Sequence, residues 1–289
     1  MRPHTLTAAV MPVLIGTSIA YSDGAFSLPL FAAMMAASLL IQAAVNMFNE
    51  YFDYKRGLDS VESVGIGGVI VRDELHEKTV LRTAVIFFLF AVILGAYICI
   101  RTSWWIAAVG SASMAVGYFY SAGKYPLAYT ALGEAAAGIF MGPVIVLIAY
   151  FIQRDTITLP AVLLSVPISI LVGAILLANN IRDAEGDARK GRKTLAILWG
   201  REKAIIFLNR MFMTSYIWTV ALVLFKVASP WTLLVFLGIP KATRSVNLFR
   251  AGSTPSEMMP AMKATSQLHS QFGILFSIGI VLGKFLPIN

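Results

Sequence analysis

Long apolar runs repeat along the whole chain, separated by short polar connections, and this pattern constrains the fold more than any other feature. The runs lie near 6–22, 28–50, 79–100, 103–121, 131–152, 159–181, 204–225, 229–247 and 267–286. A helix needs about 20 apolar residues to cross the hydrocarbon core of a bilayer. The spacing therefore predicts an all-α integral membrane protein, a bundle of nine transmembrane helices forming one membrane-embedded unit over residues 1–289. The first run is short and contains Pro12, and the eighth is interrupted by Gly238 and Pro240, so eight or ten spans also fit. Arg2 ahead of the first run would equally suit a signal peptide, in which case the remaining spans are still embedded. Only 13% of the residues are charged, against roughly a quarter in soluble domains, which excludes an ordinary soluble enzyme and a disordered chain. The single cysteine, Cys99, lies in an apolar run and offers neither a disulfide nor redox chemistry.

The net charge of +8 would suggest a nucleic-acid partner if it were evenly spread, and it is not. With the N-terminus placed inside and the spans alternating, only Arg101, Arg154, Lys226 and Lys284 fall in outer connections, and Arg210 falls within a span. The other Lys and Arg residues lie on the inner side. Positive residues concentrate on the cytoplasmic side of membrane proteins, so the expectation is an inner or plasma membrane protein with its N-terminus cytoplasmic and its C-terminus outside. This accounts for the basic balance without nucleic acid. Among the acids, only Asp23 and Asp155 fall outside and Glu134 falls within a span. Acids and bases crowded on one face imply a polar site there.

Two segments stand out on that face. The second span ends in Asn46-Met-Phe-Asn49-Glu50-Tyr-Phe-Asp53-Tyr-Lys55-Arg56-Gly57-Leu-Asp59. The sixth ends in Asn179-Asn180-Ile-Arg182-Asp183-Ala-Glu185-Gly186-Asp187, followed by Ala-Arg189-Lys190-Gly191-Arg192-Lys193-Thr194. Residues four apart share a helix face, so Asn49 aligns with Asp53, and Asn179 with Asp183 and Asp187. The repeated Asn-x-x-x-Asp, four spans apart, hints at a duplicated four-helix unit. Carboxylates near a membrane interior are costly unless compensated, and two facing acidic clusters repel unless a cation lies between them. Hard oxygen ligands suit Mg²⁺, which binds through one or two carboxylates together with substrate phosphates, while nearby Lys and Arg take the remaining phosphate charge. The pattern describes a receptor for a diphosphate on a greasy tail. Ordinary solvated loop charges would not produce two matched clusters, each ending a helix on the same side.

Over its full length the chain resembles the UbiA superfamily of intramembrane aromatic prenyltransferases. The two acidic motifs carry that resemblance, supported by Arg2-Pro3-His4-Thr5-Leu6, the Gly65-Ile-Gly67-Gly68 stretch, Tyr120-Ser121-Ala-Gly-Lys124, Leu132-Gly133-Glu134 and Gly191-Arg192-Lys193-Thr194. The resemblance implies a helical bundle around a central cavity with its active site at the cytoplasmic face. It implies Mg²⁺ held by Asp53, Asp59, Asp183 and Asp187, and catalytic roles for Asp53, Asp183, Lys124 and Glu134. It further implies a diphosphate bound by Asn49, Asn179, Lys55, Arg192 or Lys193, Tyr120 and Ser121. The partners it implies are a polyprenyl diphosphate, an aromatic acceptor and the lipid bilayer.

The details favour members that prenylate 1,4-dihydroxy-2-naphthoate. Asp59 and the Gly-rich segment after it match those members, and the Arg-Thr-x-x-Arg-Pro sequence of ubiquinone-type and haem-type relatives is absent. An acceptor such as 4-hydroxybenzoate is the alternative. Two positions depart from the wider pattern: Glu50 stands where many relatives have Asp, and Gly57 where ubiquinone-type enzymes have an acid. The chain begins almost at its Arg-Pro motif, leaving room for a few cytoplasmic residues ahead of it. Glu134 could orient the acceptor, help remove a proton, or pair with Arg2 or Lys124. His4, His76 and His269 are scattered and form no Ser-His-Asp arrangement. A secondary transporter would carry its acids near the midplane, whereas these sit at helix ends.

Overall fold

The computed structural model of the protein describes residues 3–57, 69–71 and 75–287, with side chains from residue 6 onward. It is all-helical, in the order α1 (Pro3–Ser22), α2 (Leu28–Lys55), α3 (Glu77–Arg101), α4 (Trp105–Ser121), α5 (Gly133–Ile139), α6 (Ile145–Arg154), α7 (Leu159–Arg189), α8 (Leu195–Trp199), α9 (Arg201–Leu224), α10 (Ile239–Ala251) and α11 (Pro255–Phe285). Among the described residues, six stretches are long and apolar enough to cross a bilayer: α2, α3, the continuous Gly133–Arg154 made of α5 and α6, α7, α9 and α11. The chain is thus a multi-pass membrane protein. The expected eighth span is divided as its sequence suggests: a 3₁₀ segment over Pro230–Gly238 passes into α10 at Ile239.

Apolar burial gives little drive for helices to associate within lipid, so association depends on close packing of small residues. Such packing recurs through the bundle. A methyl group on Gly16 of α1 would lie 2.2 Å from the Val146 carbonyl oxygen of α6, and one on Gly279 of α11 would lie 2.6 Å from the Trp231 carbonyl oxygen. The main core gathers α1, α7, α9, α10 and α11 around Ile168, Leu208, Phe249, Phe272 and Phe276. A second cluster joins α1, α2, α3, α4 and α6. Between α5 and α6 lies one π-helical turn, Phe140–Val144. Pro143 lacks the N–H that would continue the ordinary ladder there, and π turns of this kind occur often at functional sites.

Two helices outlast their apolar stretches. α2 continues to Lys55 and α7 to Arg189, so the described acids of both motifs stand on helix rather than loop. At about 1.5 Å per residue, α7 is roughly 46 Å long and exceeds a hydrocarbon core of about 30 Å. Its last turns therefore project the second motif into the polar zone.

Candidate active site

The end of α7 explains how the second motif meets the first. Gly191 adopts φ +77°, its N–H donates to the Ala188 carbonyl, and the Arg192 N–H donates back to the Asp187 carbonyl at 3.0 Å. This pair of bonds is a Schellman close, which needs a left-handed residue and so favours glycine. It turns Arg192 back over the helix it has just left. The guanidinium then reaches both Asp53 oxygens of α2 at 3.0 Å and the Asp187 carboxylate at 3.3 Å. Asp53 and Asp187 are both buried. Burial alone would lower the proton affinity of Arg192, but the two carboxylates outweigh it and hold the group above the usual arginine range. Arg192 is the cation between the acids in this structure.

Tyr129, in the connection before α5, completes the arrangement. Its ring lies 4.8 Å from the Arg192 guanidinium and 5.3 Å from that of Arg56, positions that suit cation–π attraction. Its carbonyl accepts the Lys193 N–H at 2.8 Å. Arg56 in turn donates to the carbonyls of Ser121 and Gly123 at 2.7 and 2.8 Å. The first motif, the loop after α4 and the loop after α7 are therefore tied together around one ring. Sequence reasoning singled out neither Tyr129 nor a special role for Arg56. Nothing local distinguishes Arg56 from its neighbour Lys55, or Tyr129 from other loop aromatics.

Asn49, Asn179 and Tyr120 line the polar mouth of a cavity of about 390 Å³. The Asn49 Oδ1 is buried with no partner among the described residues, an acceptor available to a ligand. The rest of the lining is mostly apolar, following Met34, Ala37, Ile41 and Val45 along α2, with Ala91 and Gly95 of α3 and the π turn opposite. From Asn49 to Met34 the α2 stripe covers about 22 Å at 1.5 Å per residue. Val92 and Trp104 line the same cavity yet are 52% and 66% exposed, so α3 and α4 do not seal it.

The other expected site residues divide. Asp183 forms a two-point ion pair with Arg182 (2.7 and 2.6 Å), whose other nitrogen lies against the Met259 and Met262 sulfurs at 3.1 and 2.8 Å. Lys55 pairs with Glu77 at the start of α3, 2.6 Å away. The Lys124 ammonium lies over the ring of Tyr125, at 5.5 Å. Ser121 is buried, and among the described residues its hydroxyl has no partner. Glu134 is buried at the start of α5 and accepts from Asn180 Nδ2 of α7 at 2.9 Å. Glu50 is accounted for by backbone: it accepts the Ile70 N–H at 3.0 Å and anchors the chain returning from the first motif. Asp59, Gly65, Gly67, Gly68, Arg2 and the side chain of His4 lie outside the described residues. His76 caps α3, its Nδ1 accepting the Lys78 N–H.

Do these residues suit a divalent cation? Among the described residues no three metal-ligating side chains cluster. Two carboxylates from different helices nevertheless converge on one small cationic group, and an unpartnered amide oxygen stands one turn from Asp53. Mg²⁺ commonly needs only one or two protein carboxylates when phosphate oxygens supply the rest, so the donor set fits.

The sequence profile of the UbiA prenyltransferase family matches residues 9–259. A Bacillus subtilis protein described as 1,4-dihydroxy-2-naphthoate octaprenyltransferase is 51% identical over 284 residues, covering 98% of this chain and 91% of that protein. Among solved structures, the apo form of a UbiA homolog from Aeropyrum pernix K1 superposes with a TM-score of 0.72 at 17% identity, covering 98% of each chain. A UbiA homolog from Archaeoglobus fulgidus bound to DMAPP and Mg²⁺ superposes at 0.64 with 15% identity, covering 96% of this chain and 97% of that one.

Proposed function

We infer, from the premise that this chain belongs to the UbiA prenyltransferase family, that it transfers a polyprenyl chain from its diphosphate to 1,4-dihydroxy-2-naphthoate, with loss of CO₂ and release of diphosphate, to give demethylmenaquinol, the reduced form of demethylmenaquinone. It is an aromatic prenyltransferase of menaquinone biosynthesis. The observation that carries the acceptor is 51% identity, across nearly the whole of both chains, to a protein described as acting on that naphthoate.

Asp53 and Asp187 are the residues that would hold Mg²⁺, with Asp183 and Asp59 as further carboxylates of the same motifs. When bound, the ion neutralises the diphosphate and stabilises it as a leaving group. The chain's own residues supply the rest. Arg192 is already poised between the motifs, and with Lys193 and Lys124 it offers cationic donors for phosphate oxygens. Asn49, Asn179 and Tyr120 mark the passage from polar head to apolar channel. The α2 stripe takes the first isoprene units and excludes water, so the allylic cation left when the C–O bond ionises meets the naphthoate ring rather than solvent. No side chain forms a covalent intermediate in this scheme.

Nine spans, with the N-terminus and the site cytoplasmic and the C-terminus outside, complete the proposal. Its supports are the bias of Lys and Arg towards one side and the projection of both motif helices beyond their apolar stretches. The test is a radiolabelled polyprenyl diphosphate assay in isolated membranes, offering the naphthoate and 4-hydroxybenzoate in parallel. A Mg²⁺-dependent lipid product formed only with the naphthoate is expected. Product formed from 4-hydroxybenzoate alone would overturn the acceptor.

A further inference from the structure

A second cavity, of about 420 Å³, lies where α10 and α11 meet the start of α1, and it shares no residue with the tail channel. Its polar lining comes from Thr7 of α1, Lys241 of α10 and Ser266, Gln267, Ser270 and Gln271 of α11. Polar groups on spanning helices are costly unless they find partners. Among the described residues these groups find too few. The Lys241 ammonium contacts the Gln271 amide oxygen, and Gln271 is fixed in turn by donating to the Leu237 carbonyl at 3.2 Å. An ammonium has three donors, and among the described residues no carboxylate pairs with this one. Ser266 is only 3% exposed, and among the described residues its hydroxyl has no partner. A cation, a buried hydroxyl and the amide of Gln267 thus line one cavity, and among the described residues no carboxylate lines it with them.

The surroundings say which kind of anion fits. Ile274 and Leu275 close one end of the cavity, and Ile274, Ile278 and Leu237 continue as exposed apolar surface. Lys241 stands about 15 Å, ten residues at 1.5 Å each, from the far end of α10. That end is tied to the side of the charged site, because Arg201 donates to the Phe249 carbonyl at 2.8 Å. The long apolar stem of a lysine lets a cation at such a depth serve a charged headgroup at the nearer interface, the level of lipid phosphates.

We propose that this groove binds the phosphate of an anionic glycerophospholipid through Lys241, Ser266 and Gln267, with an acyl chain lying along Ile274 and Ile278. It is a binding site separate from catalysis and independent of which aromatic acceptor is used. The test is binding of phosphatidylglycerol, phosphatidylcholine or inorganic phosphate to the full chain in detergent, followed by native mass spectrometry and thermal unfolding. Saturable phosphatidylglycerol binding is expected, weakened at least tenfold by Lys241→Gln and largely retained by Lys241→Arg. Arg244→Gln, which removes an exposed cation of the same helix, should leave it unchanged. Equal binding of phosphatidylcholine, equal stabilisation by inorganic phosphate, or undiminished affinity in Lys241→Gln would each overturn the proposal. Should that variant fail to accumulate, Ser266→Ala reads the same site, and wild-type affinity there would overturn it too.

Discussion

Arg192 and Asp53 stand 139 residues apart in sequence, and one nitrogen of the guanidinium lies 3.0 Å from both oxygens of the carboxylate. With Asp187 on its other side, the arginine acts as resident counter-charge for the motifs. Removing one partner of a buried ion pair costs about 3–5 kcal/mol because the other charge is stranded. Arg192→Gln should therefore lower the unfolding temperature in Mg²⁺-free detergent, and Mg²⁺ should restore more of it in the variant than in wild type. Equal Mg²⁺ responses in the two proteins would show that the ion and the guanidinium do not share these acids.

Asp53→Asn and Asp187→Asn should each lower kcat by about two to three orders of magnitude, the scale seen when one electrostatic contact to a transition state is removed. The variants should still elute as folded protein. Retained turnover in either would separate that residue from the metal.

The turn at Gly191 carries its own prediction. A side chain at φ +77° costs about 1–2 kcal/mol, and relieving that strain would swing Arg192 away. Gly191→Ala should raise KM for the prenyl diphosphate several-fold while leaving KM for the naphthoate close to wild type. Steady-state kinetics with each substrate varied in turn decides it.

Glu134 can be tested by chemistry rather than by size. Its contact with Asn180 joins α5 to α7 just beneath the second motif, and an amide oxygen can accept the same bond. Glu134→Gln should keep most activity, and Glu134→Ala should lose it along with about 1–3 kcal/mol of stability. Equal loss of activity in both, with stability unchanged in the glutamine variant, would instead favour a proton-transfer role.

Within the channel, Ala37 is buried and lines the tail path. Ala37→Phe should sharply reduce turnover of long polyprenyl diphosphates while sparing a single-isoprene donor. A uniform loss across donor lengths would argue against this path.

Six long apolar helices and the two helices that carry the acidic motifs could be read from sequence because hydropathy and four-residue spacing are local properties. Asp53 and Asp187 meet at Arg192, and Asn49 and Asn179 line one cavity, whereas Asp183 pairs with Arg182 instead. Tyr129, the Met259 and Met262 sulfurs around Arg182, and the use of Lys55 on Glu77 were not legible. Each depends on which helices become neighbours, and no periodicity encodes that. Glu50 looked like a departure within an acidic motif. It proved to be a backbone anchor, accepting the Ile70 N–H 20 residues further on.

The unsealed wall beside Val92 and Trp104 has a kinetic consequence. A donor that enters from the side is delivered by lateral diffusion within a leaflet, so its effective concentration is its mole fraction among lipids rather than its amount per volume. Diluting the enzyme's vesicles with buffer should leave the rate at fixed naphthoate unchanged, whereas diluting their membranes with inert phospholipid should slow it.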